Sequence, residues 1–151
     1  MTLRTGLLRG IVLGAVLLAP CAARAAEFRS VADDAAVLYD APSKAAKPMY
    51  VASRNYPLEV IVNLESWVKV RDHLGALSWV ERRALSERRM LLVTAPTAQV
   101  RQRPEDAAPI AFSAVQFVTL ELQEVAAGGW LRVRHPDGAA GYVRAAQVWG
   151  D

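Results

Sequence analysis

The sequence predicts an all-β protein built from two tandem small barrels, and three observations carry that prediction. One stretch occurs twice, as Trp67-Val68-Lys69-Val70-Arg71 with Gly75 and Trp79-Val80, and as Trp130-Leu131-Arg132-Val133-Arg134 with Gly138 and Tyr142-Val143. Matched residues lie 63 apart (67 to 130, 75 to 138, 79 to 142), and a constant offset marks a duplicated structural unit. Within each copy apolar and polar residues alternate singly, the period of a half-buried strand. Turn residues punctuate the copies at short intervals, leaving five short strands and one long early loop per copy, the strand count of a small barrel.

Taken in order, the chain opens with Arg4 and Arg9, an apolar run from Gly10 through Ala19, Pro20, and the small-residue stretch Cys21-Ala22-Ala23-Arg24-Ala25-Ala26. This layout reads as a secretory signal peptide over residues 1–25, cleaved at the Ala23-Arg24-Ala25 box. The run is shorter than the roughly 20 apolar residues of a transmembrane helix, so no stable membrane span is expected after cleavage. Pro20 stands where a lipidated cysteine needs a small residue before it, which argues against lipidation of Cys21.

Removal of residues 1–25 takes Arg4, Arg9 and Arg24 with it, so 15 basic residues (18 − 3) face 15 acidic ones. A chain of zero formal charge lacks the basic face that displaces counterions from phosphates, and no nucleic-acid partner is expected. No cysteine remains either, so the core alone must hold the fold. The remaining 126 residues (151 − 25) divide into units 26–86 and 90–151, each near the lower size for independent folding. The two units are therefore expected to pack on each other.

In the first unit Val37-Leu38-Tyr39 forms a short strand before the proline-marked loop Asp40-Ala41-Pro42-Ser43. Leu58, Val60, Val62 and Leu64 then alternate with Glu59, Ile61, Asn63 and Glu65, and Glu65-Ser66 is a tight turn. Val68 and Val70 point inward between Trp67, Lys69 and Arg71, Asp72-His73-Leu74-Gly75 turns the chain, and Leu77–Glu81 completes the meander. Gly75 supplies a backbone conformation that other residues resist. Met90-Leu91-Leu92-Val93 reads as a buried connecting strand between the units, since it lacks the Gly/Ser composition of a flexible linker.

The second unit opens with Gln99-Val100-Arg101, aligned to the first at the same offset (37 to 100), and the loop Arg103-Pro104-Glu105-Asp106. Val118, Leu120 and Leu122 alternate with Thr119, Glu121 and Gln123. Ala126-Ala127-Gly128-Gly129 turns into Trp130–Arg134, Pro136-Asp137-Gly138 turns again, and Gly141-Tyr142-Val143 begins the last strand.

These residues resemble the bacterial SH3-like modules, whose pattern is an alternating strand, a Trp-x-Lys/Arg-Val strand, and then Gly-Trp/Tyr-Val. The chain carries it as Trp67-Val68-Lys69-Val70 with Trp79-Val80, and as Trp130-Leu131-Arg132-Val133 with Gly141-Tyr142-Val143. Nearly all of residues 28–151 is similar to the tandem SH3-like envelope proteins of proteobacteria, including Leu38-Tyr39-Asp40-Ala41-Pro42-Ser43, Tyr56-Pro57-Leu58-Glu59-Val60 and Val148-Trp149-Gly150. Ser78 departs from the pattern, which has glycine before the aromatic. The resemblance implies two tandem SH3-like barrels in a small exported, periplasmic protein.

The functional reading rests on aromatics. Trp and Tyr combine apolar area with a polar tip and dominate recognition surfaces. Trp67 and Trp130 alternate out of phase with the buried residues beside them, which places them with Lys69 and Arg132 on the outward face. Trp67, Lys69, Trp79, Trp130, Arg132 and Tyr142 are the candidate ligand-binding residues, and eukaryotic SH3 domains grip extended proline-rich peptides with such a groove.

No catalytic residue, cofactor or metal is expected. His73 and His135 fall in corresponding turns of different units, one step out of register, and read as solvated turn residues without a third ligand. Ser66, His73 and Asp72 lie close in sequence without a nucleophile elbow, and no cysteine nucleophile of the peptidoglycan endopeptidases that carry such modules is retained. The expected role is a non-catalytic binding or scaffold module of the cell envelope, recognising peptidoglycan or a protein. The alternative is an accessory subunit that docks one envelope enzyme.

Overall fold

The computed structural model describes residues 25–151; the expected signal peptide, with Cys21, lies outside them except for its last residue. The described chain is all-β, with three short 3-10 turns and two antiparallel sheets. The first sheet contains β1 (Phe28–Val31), β2 (Ala35–Tyr39), β3 (Pro48–Ser53), β4 (Pro57–Asn63), β5 (Trp67–Arg71), β6 (Leu77–Glu81) and β7 (Leu85–Ser86) in the order β3-β2-β6-β5-β4-β1-β7. The second contains β8 (Met90–Val93), β9 (Thr97–Arg101), β10 (Ile110–Val115), β11 (Thr119–Ala126), β12 (Trp130–Arg134), β13 (Ala140–Arg144) and β14 (Val148–Trp149) in the same pattern, β10-β9-β13-β12-β11-β8-β14.

Each unit thus has seven strands where five are expected from the sequence, because its end returns along its own first strand. β7 pairs with β1 and β14 with β8; two-residue strands are too short to display a period. Met90–Val93 is correspondingly not a connector but the first strand of the second sheet, buried at every position, paired with β11 and β14.

The duplication also has two offsets. Strands β1 to β4 recur 62 residues later (28 to 90, 35 to 97, 48 to 110, 57 to 119), whereas β5 to β7 recur after 63 (67 to 130, 77 to 140, 85 to 148). The opening strands therefore match Leu38 to Val100, not Val37 to Val100, and one residue is gained between β11 and β12. There Gly128 and Gly129 adopt φ of 72° and 76°, a region that costs glycine little.

Leu38, Leu58, Val68, Val70 and Val80 form the core of the first unit, and Val100, Leu120, Leu131, Val133 and Val143 that of the second. The alternation expected along Leu58–Leu64 stops half-way. The register shifts between Val60 and Val62 opposite Val70 and Lys69, and beyond this bulge Val62 is 40% and Leu64 43% exposed. An extra residue in one strand inverts the facing of the residues beyond it. The second sheet shifts likewise between Leu122 and Glu124.

The units meet through aromatic rings. Phe28 packs edge-on against Trp149 at 5.1 Å, and His73 lies between Phe117 (5.8 Å) and Trp149 (6.4 Å). The Arg89 guanidinium covers Phe28 at 5.5 Å and donates to the Gly150 carbonyl at 2.9 Å. His73 is therefore half-buried at the joint, against the expectation of a solvated turn residue, with its Nδ1 2.5 Å from the Tyr56 hydroxyl. Asn55 and Phe117 are matched turn residues with φ of 68° and 69°. Asn tolerates that region whereas a bulky aromatic resists it, and the strained Phe117 is the one that reaches across to His73.

Candidate functional site

Strand register assembles the site in the first unit. Trp79 on β6 lies opposite Tyr39 on β2 and Lys69 on β5, so the three form a row across neighbouring strands. Side chains alternate across a sheet, and with Leu38, Val68, Val70 and Val80 in the core, Tyr39, Trp67, Lys69 and Trp79 share the outward face. All four are half-buried. The Tyr39 and Trp67 rings meet edge-on at 5.6 Å, and the Lys69 ammonium stands 5.9 Å over the Trp79 ring. Edge contacts of this kind hold aromatic faces rigid while leaving ring area open.

Tyr39 is not among the residues that the sequence singles out. Its signal is the same one that selects Trp67, a position out of phase with a buried neighbour, Leu38, but a register spanning some forty residues is needed to bring it to Trp79. Beside Tyr39 a cavity of about 170 Å³ opens between Ala36, Val37, Glu81 and Arg83. Arg83 (3.1 Å) and Lys44 (3.4 Å) both pair with Glu81. Hydrogen bonding to Arg83, then to Lys44, holds the Glu81 carboxyl below its usual 4.5.

The equivalent row in the second unit is Arg101, Tyr142 and Arg132, with Arg132 exposed and the other two half-buried. Trp130 corrects the expectation of an outward, accessible ring. It does lie out of phase with Leu131 and Val133, yet it is only 4% exposed. The Arg144 guanidinium lies over its ring at 4.1 Å, is fastened by Asp106 at 2.5 Å, and donates to the Gly128 carbonyl at 2.9 Å. Alternation assigns a face, and a neighbouring strand decides whether that face is covered.

Behind the aromatic row the first unit holds a polar cluster. Asp72 Oδ1 accepts from the Leu74 and Ala76 amides at 2.9 and 2.8 Å, while the Tyr50 hydroxyl lies 3.3 Å from both Asp72 Oδ2 and Ser78 Oγ. Burial raises the Tyr50 pKa above its ordinary 10. The hydrogen bonds of the Asp72 carboxylate are directed at its own turn and at Tyr50, a structural arrangement. In the second unit Phe112, His135 and Gly141 occupy the matching places, with Phe112 and His135 rings 6.2 Å apart. Ser66 and the Asp72-His73 pair sit at opposite ends of β5, so the sequence-adjacent trio is not assembled. His73 and His135 belong to different units, and among the described residues no three His, Cys, Asp or Glu side chains converge as a metal site.

Comparison with known families matches the bacterial SH3 domain at residues 32–87 and again at 94–150. A comparison with curated proteins finds no match. Among solved structures the chain is similar to NlpC2 from Trichomonas vaginalis (13% identity, 83% of this chain and 48% of that one, TM-score 0.39). It is also similar to NlpC1 from the same organism (14%, 93% and 51%, TM-score 0.40) and to an NlpC/P60 family protein from Bacillus cereus ATCC 10987 (17%, 81% and 55%, TM-score 0.38). It spans about half the length of these chains. With both of its units matched along most of their length, this protein belongs to the bacterial SH3 domain family, a class of binding modules.

Proposed function

We propose that this protein is a non-catalytic binding module of the cell envelope, and that the outward face of its first unit holds an extended peptide-bearing partner, peptidoglycan or a protein. The observation that carries this reading is the contrast between the copies: Tyr39, Trp67 and Trp79 offer open ring area beside Lys69, whereas Trp130 lies sealed beneath Arg144. Flat aromatic area next to a cation suits an extended chain with carboxylate groups, because the rings lose little side-chain freedom on binding. Arg132 and Tyr142 would extend the surface on the second unit. Residues 26–86 and 90–151 act as the two units, and the chain is exported to the periplasm after removal of residues 1–25.

The test is co-sedimentation with purified sacculi. Wild-type protein is expected in the pellet, and Trp79→Ala and Tyr39→Ala in the supernatant with unchanged melting curves. Wild-type protein that stays in the supernatant, yet is cross-linked to one enzyme in envelope extract, would favour the accessory-subunit role. Intact-mass measurement on periplasmic extract checks export, and a species that retains Cys21 with an added lipid would contradict it.

A further inference from the structure

The free edges of the two sheets are not alike. β3 ends the first sheet and β10 the second, each paired on one side only. In the first hairpin the Arg54 amide donates to the Asp34 carbonyl at 3.0 Å. Bonded and non-bonded pairs alternate along an antiparallel ladder, so Ala36 bonds with Ala52 and Leu38 with Tyr50, while Val37 and Val51 do not bond. The N–H and C=O of Val51 therefore point away from β2, out of the sheet edge. Val51 is 61% exposed and Val37, opposite it, 39%, and no charged residue lies on β3. The matching pair in the second unit is Ser113 and Gln99, a polar edge of the kind that stays unpaired. Charge is also divided along the first hairpin. Lys44 and Lys47 stand with Asp40 at its tip, and Asp33 and Asp34 with Arg54 at its base, so the tip carries one positive charge more than it balances and the base one negative. Arg54 is held by Asp34 at 2.7 Å and Lys44 by Glu81 at 3.4 Å. Among the described residues Lys47 forms no ion pair, and neither does Asp33; Arg83 feels the Asp33 charge but is bonded to Glu81 at 3.1 Å.

We propose that β3 pairs with β3 of a second copy of this chain, antiparallel and centred on Val51, to form a two-fold symmetric dimer. Val51 then exchanges both backbone bonds with its own counterpart, and Tyr50 lies opposite Ala52 of the second copy. On the outward face the Val37 and Val51 side chains of the two copies join in one apolar strip. Charge selects a second copy over another extended chain. An antiparallel two-fold lays the positive tip of each hairpin beside the negative base of the other: Lys47 falls opposite Asn55 of the second copy, and the register of β2 there puts Asp33 at the same level. The second unit has no such complementarity, since Ala95 and Pro96 stand in place of Asp33 and Asp34, and Pro109 in place of Lys47. Because the pairing extends the sheet at its edge, two rows of Tyr39 and Trp79 come to lie on one sheet, and a partner with repeated units is held at two places.

Sedimentation equilibrium of the two-unit protein from about 10 μM to about 1 mM tests the pairing. A monomer-dimer equilibrium with a Kd of about 0.1 mM is expected for so small an interface, with concentration-dependent amide shifts at Tyr50, Val51 and Ala52 in the isotopically labelled protein. Val51→Lys, altered on an exposed edge, is expected to stay monomeric with an unchanged melting curve. Lys47→Glu and Asp33→Lys are each expected to raise the Kd at least about threefold, and the double variant to restore it. Should Val51→Lys fail to fold, this charge exchange decides alone. A wild-type protein that is monomeric at about 1 mM, a dimer that survives in folded Val51→Lys, shifts confined to Ile110–Val115, or a double variant no better than the single ones would overturn the proposal. Trp79→Ala is expected to dimerise as wild type does, so failure of the aromatic face and failure of the edge pairing are separable.

Discussion

Trp67 and Trp130 occupy matching positions on matching strands, yet one is half-exposed and the other buried. Their cross-strand partners decide this: Trp67 lies opposite Glu81 and Trp130 opposite Arg144. A guanidinium stacks on an aromatic face where a carboxylate is repelled by the ring's negative face. Trp130→Ala is therefore expected to cost about 3–5 kcal/mol, as truncation of buried large aromatics does, and Trp67→Ala much less, which paired urea melts will show. Tyr56 makes a second residue-scale expectation. Burial pushes its hydroxyl up to about 12 from an ordinary 10, so the folded state favours the neutral phenol. That contribution is complete below pH 10 and lost as pH rises through about 12, and Tyr56→Phe should flatten this part of an alkaline melting series.

At the level of the strand, glycine and serine exchange roles between the copies. A Cβ on Gly141 would meet the Arg101 carbonyl at 2.5 Å and Val100 Cγ1 at 2.8 Å, so β13 approaches β9 too closely for a side chain. Ser78 at the matching place is buried, with its hydroxyl 3.3 Å from Tyr50, and its departure from the glycine pattern is accommodated by that contact. Gly141→Ser is expected to destabilise by about 1–3 kcal/mol through overpacking, read as an earlier denaturant midpoint. Val133, wholly buried on β12, should lose about 1–3 kcal/mol on change to Ala. An unchanged midpoint for either variant would contradict the packing described.

Across the whole molecule, stability depends on the joint between the units. Phe28, His73 and Trp149 would lose cover if the chain were cut, as would Gly150, whose Cβ position lies 3.3 Å from Pro57. Residues 26–86 and 90–151 expressed separately are expected to melt below the intact protein, each being small and without disulfides; two fragments as stable as the whole would refute this. Glu121 ties Arg88, in the segment between β7 and β8, to the second sheet, pairing with Arg134 at 3.0 Å and Arg88 at 3.1 Å. Its hydrogen bond to Arg134, then that to Arg88, holds the carboxyl below its ordinary 4.5. This contribution is present above that value and lost as pH falls through the lowered one. Glu121→Gln should therefore reduce the loss of melting temperature in acid.

Duplication, alternation and turn chemistry are local signals, and from them the all-β class, the two units, the core valines and the outward facing of the tryptophans were all legible. Val70 and Val133 needed only the period of two, and Gly75 and Gly138 only the demands of a tight turn. Long-range register decided the rest. It places Tyr39 beside Trp79, lays Arg144 over Trp130, inserts bulges that expose Val62 and Leu64, and seats His73 between aromatics of the other unit. Each of these depends on which side chain a distant strand brings opposite, and a period of two carries no information about the identity of that neighbour.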